Sequence, residues 1–237
     1  MSNINYYKET WQDGPEAHAA VNTLFLNEVN NHPDLKSHRD WVESNIFGFG
    51  ERSFHWLHKL LVDEMPKNFT FLEVGVFRGQ ALSLYKLLAD SRGKKVTRYG
   101  VTPLDGSDGH WESNYREDIK TIHKQFKLKQ DYKILHGLST DPEIVKQAQE
   151  IPVDILYIDG GHDYETVQSD LRNYPQLVKQ GGYLVIDDCC NDMNMPFGYF
   201  QGIEPVTRAV KEWEKTESGK GFEVLFNVVH NKVYRKL

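Results

Sequence analysis

Three carboxylates and a histidine in the second half of the chain fall at positions where the hydrophobic pattern would bring them together. In "DILYIDGGHDYETVQSDL", Asp154 to Leu171, an apolar run ends on Asp159, two glycines follow, and His162 stands three residues after the acid. The next apolar run, "GGYLVIDD", ends on Asp187 and Asp188. One acid at a strand end is ordinary, a helix N-cap or a solvated loop residue. Three on neighbouring strand ends repel one another unless a proton or a cation intervenes. An all-oxygen set suits a hard divalent ion such as Mg2+, Mn2+ or Ca2+, and no Cys/His spacing of the zinc kind occurs. The ordinary pKa of histidine, about 6.5, makes His162 able to accept a proton near neutrality. A histidine in a Gly-Gly loop could also simply hydrogen-bond backbone.

Such residues meet only if the elements carrying them are parallel neighbours, and the pattern predicts that they are. From Phe69 the chain alternates short apolar runs with helical periodicity: "FTFLEVGV" then "GQALSLYKLLADS", "KVTRYGVT" then "YREDIKTIHKQFKL", "YKILHG" then "DPEIVKQAQEI". "VDILYID" precedes "YETVQSDLRNYPQLVKQ", read as mostly helical despite Pro175, and "GGYLVIDD" precedes the helical "IEPVTRAVKEWEKTES". Alternating β and α units imply a parallel sheet covered on both faces. The tail "GFEVLFNVVHNKVYRKL" reads as a closing antiparallel hairpin. The fold class is α/β: a Rossmann-like, doubly wound, mostly parallel seven-stranded sheet with a C-terminal antiparallel hairpin. The first third differs in texture, with helical spacing in Pro15 to His32 and Glu51 to Met65 around the glycine-broken "IFGFG". Residues 1–66 are expected to form a helical lid or extension on a domain of residues 67–237. In such sheets ligands bind beyond the carboxyl ends of the strands, where Glu73, Gly75, Thr102, Gly137, Asp159, Asp187 and Asp188 all fall.

Composition narrows the function. A net charge of -6, with Lys and Arg scattered and "RGKK" at Arg92 to Lys95 the densest run, argues against a nucleic-acid surface. No stretch is long and apolar enough to span a membrane, and the first residues lack the apolar segment of a signal peptide. The only two cysteines, Cys189 and Cys190, are adjacent, where a bridge strains the backbone; a reducing, cytoplasmic setting is expected. The N-terminal helices could form a homo-oligomer interface.

The segment "FLEVGVFRGQAL" places Gly75 and Gly79 at a strand-to-helix turn, in an E-x-G-x-x-x-G spacing that differs from the G-x-G-x-x-G of dinucleotide sites. Here the chain resembles the class I S-adenosylmethionine-dependent methyltransferases, from about Phe69 onward. "LEVGVFRGQ" is similar to that family's first motif, which implies that Glu73, Gly75, Val76 and Gly79 line the cofactor. "LHGLST" resembles the segment bordering the adenine, implicating Gly137, Leu138 and Ser139. Where the family usually ends its second strand on an acid that holds the ribose, this chain has Thr102, with Asp105 three residues on; either could contribute. The same resemblance implies that Asp159 borders the cofactor as well.

The pairing of D-x-x-H on the fourth strand with D-D on the fifth resembles the metal-dependent O-methyltransferases. Catechol O-methyltransferase is the distant relative. The closer resemblance, through "IDGGHDYE", is to the group that methylates sugar hydroxyls of antibiotics and glycans. This resemblance implies that Asp159, Asp187 and Asp188 bind the cation, that His162 is the general base beside a catalytic Asp159, and that the acceptor is a small hydroxylated molecule, a sugar or catechol-like compound. Catechol O-methyltransferase has Asn at its last ligand position where this chain has Asp188. A metal-independent N- or O-methyltransferase, or a non-catalytic cofactor-binding relative, are the alternatives. Two rim loops, Asn191 to Gly202 and Pro103 to Ser113 with Trp111, could shape the acceptor pocket or pack into the core.

Overall fold

The computed structural model describes Ile4, Tyr7 and residues 14–104, 114–192 and 199–237. Three helices come first: α1 (Pro15–Asn31), α2 (Pro33–Asn45) and α3 (Phe54–Glu64). Then follow β1 (Asn68–Val74), α4 (Gln80–Ser91), β2 (Lys95–Thr102), α5 (Tyr115–Gln125), β3 (Tyr132–His136), α6 (Pro142–Gln149), β4 (Val153–Ile158) and α7 (Tyr164–Asn173). A 3-10 turn at Pro175–Leu177 leads into β5 (Val178–Ile186), and α8 (Glu204–Trp213), α9 (Glu217–Lys220), β6 (Phe222–Val228) and β7 (Asn231–Lys236) complete the order. The seven strands form one sheet in the order β3-β2-β1-β4-β5-β7-β6. β1 to β5 pair parallel, and β7 runs antiparallel to both β5 and β6. The α/β expectation, the parallel body and the closing hairpin are all present.

Three local differences from the sequence pattern have physical causes. Pro175 lacks an N–H and its ring clashes with the preceding turn, so α7 stops at Asn173 and Val178–Gln180 join β5 instead of extending a helix. The helix α2 has no readable apolar stripe because two of its four buried positions are polar: Leu35, His38, Arg39 and Val42 are buried at i, i+3, i+4 and i+7. The last helical segment breaks after Trp213, and α9 restarts at Glu217 with Thr216 as its cap, whose side chain accepts the Gly219 N–H at 3.1 Å.

Strand alternation sorts the core onto the two faces. Phe71, Ile155, Tyr157, Tyr183 and Val185 belong to a cluster that includes residues of α1, α3 and α4. Leu72, Val74, Leu156, Ile158 and Leu184 face α6, α7 and α8 on the other side. Tyr7, Phe25 and Phe226 pack ring to ring, with centroids 4.8 to 6.4 Å apart. Residues before and after position 66 thus share one hydrophobic cluster, and α1 and α3 cover a sheet face as part of the body. Among the residues before β1, the stretch 47–51 reaches the pocket described next. No described helix is long and apolar enough to cross a membrane.

Candidate functional site

The parallel register brings the strand tips level. Val74 pairs with Val101 and with Ile158, and Ile158 pairs with Ile186. The ladder continues one step beyond: the Asp159 N–H donates to the Val74 carbonyl (2.8 Å), and the Asp187 N–H to the Ile158 carbonyl (3.0 Å). Asp159 and Asp187 therefore lie on adjacent strand ends, about 5 Å apart in backbone. Gly75 (φ 97) turns the chain at the tip of β1, and a Cβ there would sit 1.9 Å from the Asp159 carbonyl oxygen; a glycine is required for that approach.

Consecutive strand residues would point Asp187 and Asp188 to opposite faces. The backbone of Asp188 prevents this by adopting a left-handed conformation (φ 56), which Asp tolerates better than most residues. The Ile203 N–H holds the Asp188 carbonyl at 2.9 Å, and Gly202 packs so closely that an added Cβ would meet that oxygen at 2.6 Å. As a result both carboxylates approach one imidazole: His230 Nε2 is 3.3 Å from Asp187 Oδ1 and 3.7 Å from Asp188 Oδ1. On the other side His162 Nε2 is 3.2 Å from Asp188 Oδ2. Potential ligand atoms of Asp159, His162 and Asp188 lie within 4.8 Å of one another, and so do those of Asp187, Asp188 and His230.

Asp187 is held from behind. Its Oδ1 accepts from Asn231 Nδ2 (2.6 Å) and from the Asp188 N–H (2.9 Å), and its Oδ2 accepts from the Tyr157 hydroxyl (2.6 Å). The Tyr157 oxygen also lies 3.1 Å from Asp159 Oδ2. One hydroxyl proton cannot serve both acids, so the pair leaves an acceptor site unfilled. Burial, and then the carboxylates of Asp187, Asp188 and Glu73, hold the Asp159 carboxyl well above the usual range. Burial and Asp187 push Asp188 up to about 7, and burial pushes Glu73 up to about 8.

The acids open into a cavity of about 900 Å³, within the size range of small-molecule sites. Of the residues expected from the sequence, Glu73, Gly75, Thr102, Gly137, Leu138, Ser139, Asp159, His162, Asp187 and Asp188 line it together. Val76 and Gly79 stand behind the wall. Val76 is buried in the core, and Gly79 caps α4 against Ile119. The Thr102 hydroxyl accepts the Leu104 N–H at 3.1 Å and so closes its own turn. Asp105 and Trp111 lie outside the described residues.

Several lining residues had no signal in the sequence. Tyr157 sits inside a strand-like run, His230 lies in the turn of the closing hairpin, and Phe47 to Glu51 come from the N-terminal third. That stretch is clamped by Arg39, whose Nη1 donates to the Phe49 carbonyl (3.2 Å) and whose Nη2 donates to the Gly50 carbonyl (2.6 Å). Phe49 stacks on Phe77 with ring centroids 5.3 Å apart. A glycine-broken loop was legible there, but not that it folds over the tip of β1.

The described lining contains six acids (Glu51, Glu73, Asp159, Asp163, Asp187 and Asp188) and no Lys or Arg. Glu73 Oε2 is buried there without a hydrogen-bond partner. Such a lining opposes a phosphate-bearing ligand and favours one that brings positive charge.

Comparison with known proteins agrees with this geometry. Residues 72–189 match the family described as a methyltransferase domain. An uncharacterised protein of Acanthamoeba polyphaga mimivirus is 31% identical over 157 residues, 62% of this chain and 64% of that protein. The chain therefore aligns with less than two thirds of that relative's length. Among solved structures, the O-methyltransferase NovP superposes with a TM-score of 0.55 at 20% identity, over 77% of this chain and 79% of that one. The MycE methyltransferase from the mycinamycin biosynthetic pathway, in complex with Mg and SAH, gives a TM-score of 0.57 at 17% identity over 86% and 55%. The O-methyltransferase from Bacillus cereus, in complex with SAH, gives a TM-score of 0.56 at 10% identity over 87% and 91%. These likenesses establish a shared fold. The chain belongs to the methyltransferase-domain family, its matched span running from Leu72 on β1 to Cys189 just beyond the paired acids.

Proposed function

We propose that the protein is an S-adenosylmethionine-dependent O-methyltransferase that uses a divalent cation and acts on a hydroxyl of a small acceptor, a sugar or a glycosylated metabolite. One observation carries this reading: three buried acids, Glu73, Asp187 and Asp188, and the partly buried Asp159 converge on one cavity whose described lining holds no Lys or Arg, so the occupants must supply the positive charge. A sulfonium donor and a divalent ion both do so. The neighbours solved with SAH and with Mg support the same pairing.

The donor fits the β1–β3 side of the cavity. Glu73 offers an unpartnered oxygen to its positive end, the Gly75 turn lies beside it, and Gly137, Leu138 and Ser139 border the other end. Asp159, Asp188 and Asp187 fit the cation on the β4–β5 side. S-adenosylmethionine supplies an electrophilic methyl group, and the divalent ion supplies Lewis acidity that lowers the pKa of an acceptor hydroxyl. The chain's own part is placement and proton handling. Asn231, Tyr157 and the Asp188 N–H hold Asp187 in one orientation. His162, partly exposed beside Asp188, takes the proton of the acceptor hydroxyl at an imidazole nitrogen. The 47–51 stretch covers the cavity and limits water. Phe49 and Phe200, both about half exposed at the mouth, offer flat apolar surfaces to a sugar or aromatic ring.

The test is methyl transfer from labelled donor to a panel of sugars, glycosides and catechols, with Mg2+ or Mn2+ and with EDTA. Transfer that needs the ion is the expected result. Transfer unaffected by EDTA would remove the cation from the mechanism and leave the methyltransferase standing.

A further inference from the structure

We propose that His230 supplies a nitrogen ligand to the divalent cation, so that the site takes a first-row transition ion such as Mn2+ or Co2+ in preference to Mg2+. The inference rests on the cation-dependent reading above and adds to it a ligand and an ion class. His230 lies outside the matched span 72–189, in the turn that joins β6 to β7, next to Val229 in a left-handed conformation (φ 53).

The argument begins with the ring's two nitrogens. Nδ1 is 3.3 Å from the Phe200 carbonyl oxygen. A carbonyl can only accept, so Nδ1 carries the proton. In the neutral ring Nε2 then presents a lone pair, and it faces Asp187 Oδ1 at 3.3 Å and Asp188 Oδ1 at 3.7 Å. Nε2 and Asp188 Oδ1, two acceptors turned toward one another beside the Asp187 carboxylate in a buried place, need a positive charge between them. His230 is only 3% exposed, and the rings of Phe54 and Phe200 stand edge-on at 4.8 and 5.0 Å, which fixes the imidazole plane and keeps it dry.

The spacing suits a cation. Adjacent ligands about 2.0–2.2 Å from one ion are separated by roughly 3 to 3.6 Å, close to the separations seen. Asp187 also has capacity left. A carboxylate offers about two acceptor positions on each oxygen: Asn231 and the Asp188 N–H take those of Oδ1, and Tyr157 takes one of Oδ2, so the open position is on Oδ2. Imidazole suits transition ions, whereas Mg2+ seeks oxygen and keeps its water. The alternative occupant is a second proton on His230, which would make the group a plain ion pair.

The experiment is calorimetric titration of the metal-free, full-length protein with Mn2+, Co2+ and Mg2+, without donor or acceptor. The wild type is expected to bind Co2+ and Mn2+ more tightly than Mg2+. His230→Gln should weaken Co2+ at least ~10-fold and Mg2+ little, since oxygen ligands remain. Because a buried substitution could unfold the hairpin, a second measurement keeps the residue in place: pulsed EPR of Mn2+ bound to His162→Gln, in which coupling to an imidazole nitrogen should persist. Absence of that coupling, or unchanged Co2+ affinity in folded His230→Gln, overturns the nitrogen ligand and leaves the cation reading intact. A wild type that binds none of the three ions overturns both.

Discussion

In the N-terminal layer, His38 shares hydrogen bonds with His55 (2.9 Å) and Ser83 (2.9 Å), and His58 shares one with the Tyr85 hydroxyl (3.0 Å). At the strand tips, Asp159, Asp187, Asp188 and Glu73 crowd together with fewer partners than their oxygens can accept. The two clusters nearly touch, since the His58 and Tyr157 ring centroids are 5.1 Å apart. Burial acts on both, and in both it favours the neutral form: His38 and His58 are lowered to about 3, while Glu73 is raised to about 8. The difference lies in what surrounds them. Imidazoles and hydroxyls can donate and accept, so the first cluster largely closes on itself in a sealed core. Carboxylates only accept when ionised, so the second cluster stays incomplete and opens into a cavity. A buried polar cluster that closes on itself is architecture; one that cannot close, at the mouth of a pocket, awaits a ligand.

The strongest test of this contrast is Asp159→Asn. Turnover should fall on the order of 10³-fold, as when one charge-stabilising group is removed from an active site. The melting temperature without cation should stay the same or rise, because a like-charge repulsion is relieved. Loss of stability together with activity would place Asp159 with the architectural cluster.

His38→Ala should do the reverse. It leaves a cavity and strips partners from His55 and Ser83, costing about 2–4 kcal/mol. That is a fall of roughly 5–12 °C in a chain of this size, with turnover per folded molecule retained. A large loss of turnover without unfolding would tie the histidines to the chemistry.

The clusters should also respond to pH with opposite signs. Glu73 ionises near 4.5 in the unfolded chain and at about 8 in the fold. Its stabilisation is therefore full below pH 4.5 and lost as pH rises to 8, by up to ~1.4 kcal/mol per pH unit. His38 and His58 bind protons at 6.5 unfolded but at about 3 folded, so their contribution is full above 6.5 and lost as pH falls toward 3. Denaturation midpoints from pH 4 to 9 should show both limbs, and Glu73→Gln should flatten the alkaline one. An unchanged alkaline limb would mean that Glu73 is ionised in the fold.

The smallest expected effect concerns the clamp that joins the layer to the site. Arg39→Lys removes the fork that holds the Phe49 and Gly50 carbonyls and keeps the charge. The Michaelis constant for the donor should rise several-fold with little change in turnover. An unchanged Michaelis constant would show that the 47–51 stretch does not cover the donor.

Period-two apolar runs that end on Glu73, Asp159 and Asp187 are local patterns, and so are the Gly75 turn and the proline-led helices. From these alone, a parallel sheet with the principal acids at the carboxyl ends of its strands follows, because each βα crossover returns the next strand in the same direction and ligands bind at those ends; that β4 pairs with β1 and not with β3 is set by the closed sheet. Other features depend on contacts between residues far apart in the chain, which no local window records. The left-handed turn at Asp188 is set by Gly202 and Ile203. Asn231 and His230 arrive 44 and 43 residues after Asp187 on the returning hairpin. The helix α2 hides its buried face behind His38 and Arg39, whose partners lie elsewhere. Sequence alone determined which acids gather at the sheet's edge; the tertiary structure decided which side chains complete them, because the hairpin and the N-terminal layer reach the site only when the whole core closes.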